Sequence, residues 1–321
     1  MSKLIVKLTS QTSKKYLRVI ILSSMFVSLA AGCQTTDEKL PLVDDRPALP
    51  FPASIELESV CGAVDDLQHV ELYNGNLGIS KAYVAEHQSS TIQLQWKPKE
   101  EINQMLGNNA DAGNIASVRW CSGTLFQKKN VDGNAVDYVL TAAHCLEAIA
   151  DGWYTPTVNG QTLSPGMNAR MMDVNFNYQI NGETGSMRVE SKYHVRSLVE
   201  FGYPGLDYAI LELGNIKSGD ESYPKRYAET SARPLQTNES LTIIQHPNGD
   251  PKKVESGQLL LIRQALAYYS NIDTHSGASG AAVRDSKGNI VALHTNGGCT
   301  KVGGANKGVL LEAISNVSSI L

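Results

Sequence analysis

Three short strings in this chain set out a base, an acid and a nucleophile in a fixed order. The first runs Cys121-Ser122-Gly123-Thr124-Leu125-Phe126, followed by Tyr138-Val139-Leu140-Thr141-Ala142-Ala143-His144-Cys145. A strand ending in small residues delivers His144 to a sharp corner, and the neighbouring Cys145 can bridge to Cys121 and hold that corner. The second string, Leu206-Asp207-Tyr208-Ala209-Ile210-Leu211-Glu212-Leu213, opens an apolar strand with a carboxylate. From there Asp207 can accept a hydrogen bond from one ring nitrogen of His144, fixing its tautomer and stabilising the imidazolium. The third, Asp273-Thr274-His275-Ser276-Gly277-Ala278-Ser279-Gly280-Ala281-Ala282-Val283, sets a serine among glycines, which tolerate backbone angles that other residues resist. Such a loop can turn the N–H groups of Gly277 and Ser279 toward one point, an oxyanion hole. The chemistry is nucleophilic catalysis: Ser279 attacks a carbonyl, His144 accepts and returns the proton, and an acyl-enzyme forms and is hydrolysed.

Taken singly, each string has a bland counterpart: a structural histidine, an aspartate at a strand start, a glycine-serine surface loop. Together and in this order they resemble the trypsin-like serine peptidases. V-L-T-A-A-H-C matches that family's histidine region, D-Y-A-I-L its D-x-A-L-L element, and G-A-S-G its nucleophile loop. The order His…Asp…Ser is the chymotrypsin arrangement, whereas α/β-hydrolases run Ser…Asp…His and subtilisins Asp…His…Ser. Ala281 also stands where the α/β-hydrolase elbow needs a second glycine. Three further features resemble the bacterial glutamyl and lysyl endopeptidases. Cys61 and Cys299 lie near the two ends of the domain, as in the terminal bridge of lysyl endopeptidases. His246-Pro247-Asn248-Gly249-Asp250-Pro251-Lys252 is similar to an H-P-x-G-x-P-K turn, and Leu293-His294-Thr295-Asn296-Gly297-Gly298 to a substrate-binding strand.

The resemblance covers roughly residues 58–321. It implies an all-β fold of two six-stranded antiparallel β-barrels with the active site between them and a short C-terminal helix. It also implies disulfides Cys121–Cys145 and Cys61–Cys299, catalytic His144, Asp207 and Ser279, a protein or peptide substrate, a monomer, and neither cofactor nor metal. Ala278 replaces the aspartate with which trypsin captures its freed N-terminal amine, so activation by that insertion is not expected. For the specificity pocket the signals diverge. Asp273 stands six residues before Ser279, the offset of the trypsin pocket floor, which implies cleavage after Lys or Arg. Thr274 and His294 match positions that grip a substrate carboxylate in glutamyl endopeptidases, which implies cleavage after acidic residues. A third reading has Asp273 and His294 satisfying one another. His69, His87, His194, His246 and His275 carry no motif for catalysis, and Glu212 is expected to face solvent.

The elements that position these residues read mostly as short strands rich in β-branched, aromatic and aliphatic residues between turn signals. Expected strands are 91–96, 116–126, 138–141, 171–179, 185–190, 208–213, 240–245, 258–266, 281–284 and 290–295. Helix signals are confined to 98–105, 142–150 and a C-terminal segment around 310–321. Many short strands argue for barrels or a sandwich rather than alternating βα units. Barrel one is expected over about 61–215 and barrel two over about 216–321.

Residues 1–32 read as an export signal: Lys3, Lys7, Lys14, Lys15 and Arg18, then a thirteen-residue apolar run from Val19 to Ala31, too short to span a bilayer. Leu29-Ala30-Ala31-Gly32-Cys33 resembles a bacterial lipobox, which implies a lipid on Cys33; signal cleavage near Ala31 is the alternative. Gln34 after the cysteine implies outer-membrane sorting in a Gram-negative bacterium. Residues 33–55 are proline-rich and charged, a flexible tether ahead of the domain at 56–321. Without residues 1–32, 23 basic residues face 32 acidic ones, a balance that argues against sequence-independent nucleic-acid binding. The four remaining cysteines, in an exported chain and without C-x-x-C spacing, read as two disulfides rather than a zinc site. Two other functions stay open: a catalytically silent pseudoprotease acting as a surface binding protein, and a periplasmic esterase using the same triad.

Overall fold

Two closed barrels follow one another along the chain. The computed structural model describes residues 59–321 apart from 148, 151 and 222, so the expected export signal, Cys33 and the whole of the expected tether lie outside the described residues. The first barrel is built from β1 (Thr91–Trp96), β2 (Arg119–Lys129), β3 (Ala135–Thr141), β4 (Met172–Phe176), β5 (Ser191–Phe201) and β6 (Ala209–Ser218). They pair antiparallel in the order β4-β5-β6-β3-β2-β1, and β1 closes on β4. The second contains β7 (Ser240–Gln245), β8 (Lys253–Arg263), β9 (Leu266–Ser270), β10 (Ala282–Arg284), β11 (Ile290–Asn296) and β12 (Asn306–Leu310). Its order is β8-β7-β10-β11-β12-β9, and β9 pairs back to β8. Among the described residues four short α-helices decorate the strands: α1 (Lys81–His87), α2 (Lys99–Leu106), α3 (Pro165–Arg170) and α4 (Leu311–Ser315). The expected all-β architecture with a short C-terminal helix is therefore the observed one.

The two-residue period of the strands explains how the barrels join. On β2 and β3, Leu125 and Val139 point into the first barrel, whereas Phe126, Tyr138 and Leu140 point outward. Those outward residues meet Leu266, Leu293 and Val309 of the second barrel and Leu311 and Ile314 of α4. Ile210 does the same from β6, while Ala209 and Leu211 on either side of it face inward. Strands buried on both faces need unbroken apolar runs, which is what 138–140 and 208–211 supply.

The N-terminal segment takes another route. Val70, Tyr73 and Val84 pack on Ile244 and Val254 of the second barrel, and the two-residue strand Gln68–His69 pairs with Lys253 and Val254 on the edge of β8. Residues 59–73 thus strap the second barrel, and the first barrel begins only at β1.

Several elements differ from the sequence expectations, two of them for local reasons. The strand expected at 185–190 reduces to a single bridge between Met187 and Ile180, after a turn in which Asn181 C=O accepts from the Gly185 N–H at 2.8 Å, and β5 starts at Ser191 instead. The helix expected at 142–150 shortens to one 3₁₀ turn, Ala143–Leu146, because the chain must turn there to present His144.

Candidate active site

β3 ends at Thr141, and the 3₁₀ turn that follows carries His144 at the corner. The disulfide Cys121–Cys145 ties that turn to β2, and Trp120 Nε1 donates to the Cys145 carbonyl at 3.1 Å. Asp207 stands immediately before β6 and is fully buried. Its two oxygens both serve His144: Oδ1 accepts the backbone N–H at 2.9 Å and Oδ2 meets Nδ1 at 2.7 Å. Burial of the ring opposes a positive charge, but the Asp207 charge and hydrogen bond outweigh it and raise the His144 pKa above 6.5. The pair therefore holds a hydrogen on Nδ1, which leaves Nε2 as the basic position in the neutral ring.

Ser279 is 6 % exposed and lies on a loop of two successive turns, with Ala278 N–H donating to His275 C=O and Ala281 N–H to Ala278 C=O, both at 2.9 Å. The Ser279 carbonyl accepts from Ser122 N–H on β2 at 3.0 Å and lies 4.0 Å from the Cys145 sulfur, which places the serine beside the His144 turn. Two glycines make this closeness possible. Gly280 has φ +84, and a Cβ there would sit 2.4 Å from the Ser122 carbonyl and 2.3 Å from Thr141 Oγ1. Gly277 has φ +93, and its Cβ would meet the His246 carbonyl at 2.7 Å.

The peptides on either side of Gly277 are each anchored. Asn248 N–H donates to Ser276 C=O, and Asn248 holds the left-handed φ of 55 needed to aim it. C=O and N–H point in opposite directions across a trans peptide, so anchoring the Ser276 carbonyl aims the Gly277 N–H the other way. Ser122 Oγ, accepting from His246 N–H at 2.9 Å, donates to Gly277 C=O at 2.7 Å. Neither Gly277 N–H nor Ser279 N–H has a protein acceptor among the described residues. Ser122 and Asn248 were not singled out as site residues from sequence. They stood inside strings read for other reasons, and their partners are more than a hundred or a few tens of residues distant.

The three pocket candidates have separate partners. Asp273 does not pair with His294: Oδ1 accepts Cys61 N–H at 2.6 Å and Oδ2 accepts Asp66 N–H at 3.2 Å. Thr274 Oγ1 accepts from Asn306 Nδ2 at 3.1 Å, which leaves its own O–H to donate. His294 Nδ1 is hydrogen-bonded to the Tyr269 hydroxyl. Burial, with the nearby His144, pushes the His294 pKa down to about 3, so this imidazole is neutral at pH 7. The bridge Cys61–Cys299 and the pairing of Ser59 with Thr274 set the N-terminal strap against this pocket. Of the other histidines, His246 is buried, stacks on Tyr178 and contacts the Asp250 carbonyl at 3.0 Å, and His275 pairs with Asp65 at 2.8 Å. Glu212 is engaged by Arg196 at 2.8 Å rather than simply solvated.

A family model described as the lysyl endopeptidase C-terminal domain matches residues 88–304. No curated protein sequence matches the chain. Solved structures similar to it include a serine endoprotease from Yersinia pestis, at 13% identity and TM-score 0.44, over 73% of this chain and 63% of that one. Another is a Glu endopeptidase in complex with MPD, at 17% identity and TM-score 0.45, over 79% of this chain and 95% of that one.

Proposed function

Because the chain belongs to the lysyl endopeptidase family, whose model spans most of its described residues, we propose that it is a serine endopeptidase acting through an acyl-enzyme on Ser279. The observation that carries this is the doubly bonded Asp207–His144 pair, with Oδ2 to Nδ1 at 2.7 Å, set beside the Ser279 loop. In this reading His144 Nε2 takes the Ser279 proton as Oγ attacks the scissile carbonyl. Asp207 balances the imidazolium that results, and the proton passes to the leaving amine. The N–H groups of Gly277 and Ser279 stabilise the oxyanion; one such donor contributes about 2.7–4 kcal/mol to transition-state binding. Water then repeats the sequence on the ester. No step requires a metal or cofactor.

For the residue before the scissile bond we propose an acidic side chain. Its carboxylate would be held by the Thr274 O–H and by the neutral His294 ring, while Asp273 has both oxygens engaged by backbone N–H groups. A basic side chain is the second reading, favoured by the position of Asp273 and by the family description. A peptide library cleaved by the wild type, with Ser279→Ala as the blank, decides both points. Cleavage after Glu and Asp supports the first reading and cleavage after Lys the second. No difference from the blank would leave the pseudoprotease function.

We further propose that the protein is exported and held by a lipid on Cys33 at the outer membrane, with residues 34–55 as the tether; the lipobox-like sequence supports this. Cys33→Ser is expected to move the protein from the membrane to the soluble fraction, and unchanged fractionation would remove the anchor from the account.

A further inference from the structure

Three carboxylates meet where the N-terminal strap crosses the second barrel. We propose that Asp66, Glu255 and Asp273 bind a calcium ion that fastens the strap beside the specificity pocket. Their carboxylate oxygens lie within 4.8 Å of one another, the span of two oxygens on opposite sides of a calcium ion at about 2.4 Å each. Asp273 and Glu255 are each 1 % exposed, whereas Asp66 is open to water and gives an ion its route in.

The hydrogen bonds leave this cluster incomplete. Asp273 accepts one backbone N–H on each oxygen, from Cys61 and Asp66, and Glu255 Oε1 accepts from Ser256 N–H at 2.9 Å. Glu255 Oε2 is buried and accepts from no donor among the described residues; what it faces instead is the Asp66 carboxyl, another acid. A buried carboxylate oxygen without a donor is costly, and here it adjoins two more carboxylates. The neighbouring cations are engaged elsewhere: Lys253 with Asp250 at 3.6 Å and His275 with Asp65 at 2.8 Å. No Lys, Arg or His among the described residues forms an ion pair with any of the three. In the absence of an ion, burial and then the adjoining acids push the Glu255 carboxyl up to about 9, and a proton would take the ion's place.

The donor set selects the ion. It is all oxygen and carries three formal negative charges, which disfavours soft or imidazole-seeking metals. Ligand atoms spread over as much as 4.8 Å suit calcium's longer bonds and flexible sphere better than magnesium's strict octahedron at about 2.0–2.1 Å. An ion here joins strap and barrel directly, independently of whether Ser279 is catalytic.

Thermal unfolding of metal-stripped protein with calcium chloride, alongside terbium luminescence, tests the site, and Ser279→Ala serves as well as wild type. Millimolar calcium is expected to raise Tm by about 5 °C, given the usual shift of a few degrees per tenfold gain in stability for a domain of this size. Glu255→Gln, which keeps the shape and mimics the protonated acid, should fold with an unchanged metal-free Tm and lose the calcium response. The exposed Asp66→Asn should weaken it at least tenfold. Unchanged Tm and no terbium signal in wild type would mean that the acids share a proton only. An equal calcium shift in both variants would place the ion elsewhere. Either result overturns the proposal.

Discussion

Asp207→Asn separates the charge of this side chain from its shape. In the native protein Oδ1 accepts the His144 backbone N–H at 2.9 Å and Oδ2 meets Nδ1 at 2.7 Å. The backbone bond demands an oxygen, so the amide must place its Oδ1 there and turn its NH₂ toward Nδ1. A donor facing Nδ1 forces the ring proton to Nε2, where it blocks acceptance of the Ser279 proton. The expected fall in kcat is about 10⁴-fold, equivalent to roughly 5.5 kcal/mol. The pH profile supplies a second, independent readout. The native His144 pKa is raised above 6.5 by the Asp207 charge and hydrogen bond acting against burial, so the acid limb of kcat/KM should have its midpoint above 6.5. Without that charge, burial acts alone and the limb should move below 6.5. The stability sign follows as well. A raised folded pKa contributes stability fully below the unfolded value near 6.5, lost as pH rises through the folded value; in the Asn variant burial leaves the folded pKa below the unfolded one, and the slope should reverse. The assay is kcat/KM on a fluorogenic peptide across pH, with circular dichroism to show folding. A folded variant within about tenfold of wild type and with an unmoved acid limb would refute the pairing as the source of catalysis.

Gly280→Ala should lose at least about 3 kcal/mol in urea unfolding, since its Cβ would meet the Ser122 carbonyl at 2.4 Å and φ is +84; a loss under about 1 kcal/mol contradicts the packing. Asn248→Gly keeps both the left-handed backbone (φ 55) and the N–H, and should keep kcat. Asn248→Val should lower kcat about tenfold at little change in KM, because about 1–2 kcal/mol of strain pulls the N–H from Ser276; equal activities would show that this bond does not set the peptide. Replacing Cys121 and Cys145 together by alanine removes a bridge with sequence separation 24 and should cost about 3 kcal/mol of stability in the chain-entropy model, read by denaturant midpoint.

What the sequence revealed was whatever depends on neighbours along the chain. β1 and β7 match their expected bounds because alternation and turn residues delimit them. The corner at His144 was legible because Thr141, Ala142 and Ala143 are small where the chain packs against Gly280. β5 was not, because its pairing with β6 shifts register between Lys192 and Tyr193, Tyr193 and Val195, Val195 and Ser197, and Leu198 and Glu200, which breaks the period of two. α3 lies outside the expected helices although its signal is local: Ser164 caps it, accepting from Met167 N–H at 3.3 Å, and Pro165 opens it. The roles of Ser122 and Asn248 had no local signature, since a hydroxyl bonded to a carbonyl 155 residues away leaves nothing periodic to read. The placement of the N-terminal strap on the second barrel was hidden for the same reason: Val70 and Tyr73 show that something apolar is buried, not against what.

The central claim is that Ser279 is a nucleophile activated by His144. Its most direct test is incubation of folded protein with phenylmethylsulfonyl fluoride, followed by peptide mass spectrometry. Stoichiometric modification of Ser279 is expected, abolished in Ser279→Ala and slowed by orders of magnitude in His144→Ala. Folded wild-type protein that remains unlabelled, or labels equally fast without His144, would contradict it.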